Sequence, residues 1–246
     1  MIHPTAIVSK EAMIGQEVSI GPFTTVHEDV ILGDGTIIEG YCEIGYPSPL
    51  AENKSLIIGK DSLIRSYSLF YQGSVFGDRL VTGHRVTVRE KIIAGINLQI
   101  GTLSDFQGDC IIGDYVRTHS NVHISKHSTI GNFVWIYPYV VLTNDPHPPS
   151  TYTAGVTVED YAVIATMSVV LPGVRIGTHS LVAAHSLVNS DVPPHTFVGG
   201  SPARELGDIK KIKLKDGTGR SAYPWPRHFH RGYPEGVVRG WIEQFD

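Results

Sequence analysis

Cysteine is nearly absent, with two copies in 246 residues. That excludes a disulfide scaffold and a multi-cysteine zinc site. No run of about 18 apolar residues occurs, so no helix in this sequence is expected to span a membrane. Charge is sparse too: charged side chains make up 18% and the formal net charge is −4. A surface built to hold nucleic acid or an anionic membrane carries more positive charge than that. With 41% apolar residues the chain is not a disordered tail either. The start, Met1-Ile2-His3-Pro4, lacks the basic-then-apolar pattern of a secretory leader. The expected compartment is therefore the cytoplasm. Glycine is the residue in excess, with 26 copies, and it calls for a reason.

The reason is a repeat. Large apolar residues recur every sixth position at Val8, Ile14, Ile20, Val26, Leu32, Ile38 and Ile44. The register breaks, resumes at Ile58 and runs without interruption to Leu142; only Thr82, Ala94 and Thr118 are not large and apolar. It breaks again and returns from Val158 to Val188. A small or β-branched residue usually stands two places before each anchor. Half of the 26 glycines stand one place after it. A helix of 3.6 residues per turn has no use for a period of six. A three-sided prism does: each hexapeptide is a short strand plus a corner, and three close one coil of 18 residues. Stacked coils then pair their strands at about 4.8 Å. The anchor fills the interior, and glycine is expected to ease the corner. The repeats predict about nine to ten coils.

Two insertions break the register, at residues 45–55 and 143–156. The second holds Pro146-His147-Pro148-Pro149, which cannot stay in a ladder. Loops on rigid scaffolds often carry function. Residues 205–213 predict a short helical turn. Beyond them Tyr223, Trp225, Phe229, Tyr233, Trp241 and Phe245 lie among prolines and arginines. Residues 205–246 therefore read as a cap on the prism or on a neighbouring subunit. A nucleotide-binding role for Trp225-Pro226-Arg227-His228 is the alternative.

Residues 18 apart on uninterrupted coils stack. Glu90, Gly108, Lys126 and Asn144 form one column, and Lys91, Asp109, His127 and Asp145 form the next. Both are expected outward at one corner, the corner from which the proline-rich loop leaves. This is the first choice for a site. A ladder of alternating charge would also be stable without any function. His119, His123 and His127 are four apart, which on a helix would suggest metal. On a prism they point in different directions, so no metal site is expected.

The six-residue pattern over residues 2–204 resembles the hexapeptide-repeat acyltransferases. That resemblance implies an all-β, left-handed parallel β-helix and a homotrimer with active sites between subunits. Gly199-Gly200-Ser201-Pro202-Ala203-Arg204 resembles the signature that ends the prism in members using acetyl-CoA. It implies a CoA arm along Thr166, Ala184 and Gly200, with Arg204 near its phosphates. The stretch from Ile112 to Ser150 is similar to N-acetyltransferases of nucleotide-linked amino sugars. There Asn121 matches a residue approaching the sugar amine, although Pro149 stands in place of a loop arginine. The run Thr82–Glu90 is similar to sugar-modifying relatives, which places His84, Arg89 and Glu90 near the acceptor, with Lys126, Asn144 and Asp145.

The implied chemistry is attack of an amine on the thioester carbonyl of acetyl-CoA. The amine must be neutral, and a histidine can take its proton. His123, His127 and His147 are the candidate bases. Three other readings stay open. A saccharide O-acetyltransferase would use His147, which precedes Pro148 as in that group. An acyl-carrier-protein enzyme like the lipid A acyltransferases fits the Ile2-His3-Pro4-Thr5-Ala6 start, but their catalytic His-Asp pair is replaced by Lys126-His127. A non-catalytic β-helix scaffold is the last.

Overall fold

A computed structural model describes residues 1–52 and 54–245. Asn53, in the first insertion, and Asp246, at the end of the tail, lie outside the described residues. The strands form three sheets, the faces of one prism, and all pairings but the final one are parallel. The first face starts at Ile7–Val8 and ends at Leu187–Val188. The second runs from Met13–Ile14 to Arg175–Ile176, and the third from Ser19–Ile20 to Thr196–Gly200. Most strands are two residues long, as a six-residue side with a corner requires.

The expected stacking holds. Val88, Phe106, Ile124 and Leu142 pair in sequence on the first face. The anchors pair across both insertions: Ile44 with Phe70, with a one-residue shift just after it where Tyr71 pairs with Tyr46, and Leu142 with Val170. The stack is about eleven turns tall, slightly more than the repeats predict. Ile2 already bridges Ile20, and Thr196–Gly200 adds a level beyond Val188 on the third face.

The anchors form the core. Phe70, Phe106, Ile124 and Leu142 are fully buried, each worth about 1.5–3 kcal/mol of transfer free energy. Where an anchor is small, the residue two before it is large. Leu80 accompanies Thr82 and Ile92 accompanies Ala94, and all four are buried. Volume is conserved within the hexapeptide, so the interior stays filled.

The glycines do a different job from the one expected. The left-handed corner falls three places after the anchor, not one, and carries ordinary residues such as Lys91 (φ 60°), Asp109 (φ 47°) and His127 (φ 66°). Glycine one place after the anchor meets the next coil instead. A Cβ on Gly101 would lie 2.2 Å from the carbonyl carbon of His119. Close stacking of coils, not freedom at the turn, selects glycine there.

Past Val198 the chain doubles back. Ala203–Asp208 pairs antiparallel with Thr196–Gly200, and the helical turn expected across 205–213 shrinks to Ile209–Lys211. The remainder, ending in helix α1 (Glu235–Phe245), folds over the third face. Trp225, Tyr233 and Trp241 are buried against Val163, Leu181 and Trp135. Arg117 Nη2 donates to the Gly232 carbonyl at 2.8 Å, and Trp135 Nε1 to the Tyr233 hydroxyl at 3.1 Å. The tail caps the prism of its own chain.

Candidate functional site

Side chains on either side of each anchor point out from the faces. On the first face this puts Asp105 directly opposite His123. His123 Nδ1 lies 3.0 Å from Asp105 Oδ2. Gln107 Nε2 donates to the same oxygen at 2.5 Å. Burial favours the neutral form of Asp105, but the hydrogen bonds from His123 and Gln107 outweigh it and hold the carboxyl below its ordinary range. An ionised carboxylate facing Nδ1 favours the tautomer with its proton there, leaving Nε2 as the acceptor. Ser125 Oγ lies 3.4 Å from that Nε2 and donates to the Leu142 carbonyl at 2.6 Å.

Two further pairs flank this couple. Arg89 binds Glu90 through Nε and Nη2, both at 3.0 Å, and its guanidinium lies 4.8 Å from the centre of the Tyr71 ring. The Glu90 side chain is 1% exposed. It is covered by its neighbours, which corrects the expectation that its whole column faces solvent. Burial raises its pKa, but the bonds from Arg89 prevail and keep the carboxylate below its usual range. Lys126 Nζ reaches Asp109 Oδ2 at 3.5 Å.

The remaining expected residues fall on two edges. Glu90, Lys126, His127, Asn144 and Asp145 share the edge between the first and second faces. His127 is an exposed left-handed corner residue. Asp145 is engaged in its loop: it accepts from the backbone N–H of His147 at 3.1 Å and from Ser150 Oγ at 2.7 Å. The bond from Ser150 is the main cause of its lowered pKa. The His147 ring is exposed at the loop surface.

Asn121, Thr166 and Ala184 share the opposite edge, between the third and first faces. Gly200 extends this column, since Ile164, Val182 and Val198 pair in sequence. Arg204 sits opposite Gly199 on the antiparallel return. His84 is on that edge too, nearer the N-terminus, 2.8 Å from Ser66 Oγ. The first face, with His123 at its middle, lies between the two groups.

Sequence reasoning missed Asp105, Gln107, Ser125 and Tyr71. The signal for Asp105 was present: it stands 18 residues before His123, in the same phase. Among the described residues no group of three His, Cys, Asp or Glu side chains could hold a metal ion. No helix there is long and apolar enough to cross a membrane.

Residues 1–96 match the family model described as the GMPPB C-terminal domain. The structure is similar to the Arabidopsis UDP-N-acetylglucosamine acyltransferase, with a TM-score of 0.67 and 21% identity. The match covers 85% of this chain and 74% of that one. It is also similar to LpxA, a UDP-N-acetylglucosamine acyltransferase from Bacteroides fragilis 9343, with a TM-score of 0.57 and 17% identity. Here 97% of this chain and 81% of the other are covered. The fold is thus the left-handed β-helix built of hexapeptide repeats.

Proposed function

We propose that this chain is an acyltransferase that moves an acetyl group from acetyl-CoA to the amino group of a nucleotide-linked amino sugar in glycan biosynthesis. The observation that carries acyl transfer is the His123–Asp105 pair, held on an open face with Nε2 directed away from the carboxylate. His123 Nε2 takes the proton of the attacking nitrogen as the N–C bond forms. The tetrahedral intermediate then collapses, the C–S bond breaks, and the proton passes to the departing thiolate. Asp105 stabilises the imidazolium in between. Arg89, Lys126 and Asn121 border the same face and serve the acceptor. The donor arm runs along Thr166, Ala184 and Gly200 to Arg204. The similar proteins titled UDP-N-acetylglucosamine acyltransferases support a nucleotide sugar as acceptor.

The exposed second face supports a homotrimer with sites between subunits. Met13, Val75, Ile93 and Ile111 form an outward apolar column on it, 39–64% exposed. Such a stripe on a flat sheet needs a partner surface, and a neighbouring prism would wall the open first face. A soluble enzyme of the cytoplasm fits this reading.

A second reading, attack by a sugar hydroxyl, draws on the same pair. A hydroxyl is a far weaker acid than an ammonium group, and a carboxylate-oriented histidine suits it. The experiment is a screen of nucleotide amino sugars with acetyl-CoA, followed by thiol release. Hydroxylamine then separates the products, cleaving an ester and leaving an amide. Absence of binding to any CoA thioester by calorimetry defeats both readings.

A further inference from the structure

Where the tail crosses the third face it leaves a cavity of about 390 Å³. Its walls are aromatic: Trp135, Tyr137, Tyr223, Trp225 and Phe229. A second hollow of about 300 Å³ adjoins it along the same face and shares His119 and Trp135 with it. The first–face couple of His123 and Asp105 lines neither.

The walls are ordered by their own contacts. His119 stacks on Tyr137 with ring centres 4.6 Å apart, and Phe229 stands edge-on to Trp135 at 5.4 Å. The indole N–H groups are engaged elsewhere: Trp135 donates to Tyr233 and Trp225 to the Tyr161 carbonyl. Both rings therefore offer π surface rather than donors. Burial lowers the pKa of His119, so its ring is neutral near pH 7.

The charged side chains in the lining are all cations. Arg231 lines the first cavity, and Arg65 and Arg117 line the second; Glu39, outside the lining, lies 3.5 Å from Arg65 Nη1 and leaves the guanidinium's other donors to the hollow. Among the described residues no carboxylate lines either. Arg117 is 5% exposed and its guanidinium lies 4.8 Å from the centre of the Tyr233 ring and 5.8 Å from that of Trp135; among the described residues its side chain donates to the Gly232 carbonyl alone and its buried Nη1 has no hydrogen-bond partner. The rings offset part of the cost of burying this charge but accept no hydrogen bond in the plane of the guanidinium, and an anion would complete it there. Thr102 and Ser120 add hydroxyls to the same hollow.

We propose that this cleft binds a nucleoside 5′-phosphate, with the base between the aromatic walls of the cap and the phosphate in the hollow lined by Arg65 and Arg117. Stacking on aromatic side chains accommodates any base, and arginine matches a phosphate with paired donors. A volume of this size takes a mononucleotide. The site belongs to the cap and third face, and the proposal does not depend on the acyl-transfer reading. The nucleotide is either free or the end of a larger nucleotide-linked molecule.

The test is tryptophan fluorescence. The chain has three tryptophans; two wall the cavity and Trp241 packs edge-on against Trp225. UMP and AMP are titrated into the full chain, with uridine, adenosine and ribose 5-phosphate as controls. Saturable quenching is expected with at least one nucleotide. Its affinity should exceed those of its nucleoside and of ribose 5-phosphate by about tenfold, the worth of a charge-assisted bond. Arg65→Gln and Arg231→Gln should each weaken it severalfold without altering the unliganded spectrum. His123→Ala should leave it unchanged, which separates this site from the catalytic reading. Displacement of UMP by UDP-N-acetylglucosamine identifies the nucleotide as the end of a larger molecule; failure to displace identifies it as free. Absence of quenching by both nucleotides overturns the proposal. So does equal binding of nucleoside and nucleotide, or wild-type affinity in both arginine variants.

Discussion

Asp105 and His123 are neighbours only because one coil lies on another: 18 residues of chain separate two side chains whose Oδ2 and Nδ1 are 3.0 Å apart. The coil spacing of about 4.8 Å is just what an imidazole needs to reach a carboxylate on the strand beside it. Both side chains keep about a third of their surface open, so the pair is held and still accessible.

His123→Ala should lower the rate of thiol release by about 10²–10⁴-fold, the usual worth of a general base. Asp105→Asn should cost less, since the base remains but loses its orientation. The acid limb has a definite sign. The folded pKa of Asp105 lies below its ordinary 3.8, so its stabilising effect is complete above that value and lost as pH falls through the lower folded one. Unfolding of Asp105→Asn should lack this component. Wild-type turnover in both variants, against loss in His147→Ala, would move the base to the loop.

Ile93 and Ile111 are 60% and 58% exposed and adjacent on the second face. Placing Asp at either should break the proposed trimer, because a charge buried at an apolar interface has no partner. Light scattering coupled to gel filtration reads the outcome. A native chain that elutes as a monomer sinks the idea, as do Ile93→Asp and Ile111→Asp variants that stay trimeric.

The same substitution should have opposite effects at two glycines. Gly101→Ala drives a methyl group into the His119 backbone, 2.2 Å away, and should cost at least about 2 kcal/mol through displaced coils. Gly240, inside helix α1, has no neighbour within 4 Å of a built Cβ. Gly240→Ala should stabilise the cap by up to about 1 kcal/mol through helix propensity. Denaturant midpoints, followed by tryptophan fluorescence, test both.

His179 is stacked between Tyr161 and His195, at 4.6 and 5.2 Å, and its Nδ1 is buried with no hydrogen-bond partner among the described residues. Burial, aided by the nearby His195, pushes its pKa down to about 4, while Asp160 opposes the shift. Between that value and the ordinary 6.5 the unfolded chain binds a proton that the folded chain refuses. Stability should therefore fall as pH drops through this window and be complete above it. His179→Phe keeps the stack and should flatten the dependence. An unchanged slope in that variant would place the titrating group elsewhere.

The period-six anchors, the register of 18, both excursions and the polar edge at Glu90, Lys126 and Asn144 were legible in the chain, because a repeat writes its geometry into spacing. Asp105 and His123, each one place before its anchor, are legible by the same rule. The role of glycine is not, because spacing locates a corner but not which atom the next coil approaches. The cap was legible only as an aromatic tail. Its docking joins residues such as Trp135 and Tyr233, 98 positions apart, and no periodicity connects them.

The sequence by itself thus determined a stacked prism and the lateral neighbours of each side chain, since both follow from local pattern and a constant rise. Only the tertiary structure decided that Glu90 is buried against Arg89, that His123 is the one of the three candidate bases given a carboxylate, and that the tail closes an aromatic cleft over the third face. Those outcomes depend on burial and on contacts between distant segments, where the balance of desolvation, hydrogen bonding and packing is set by the whole fold.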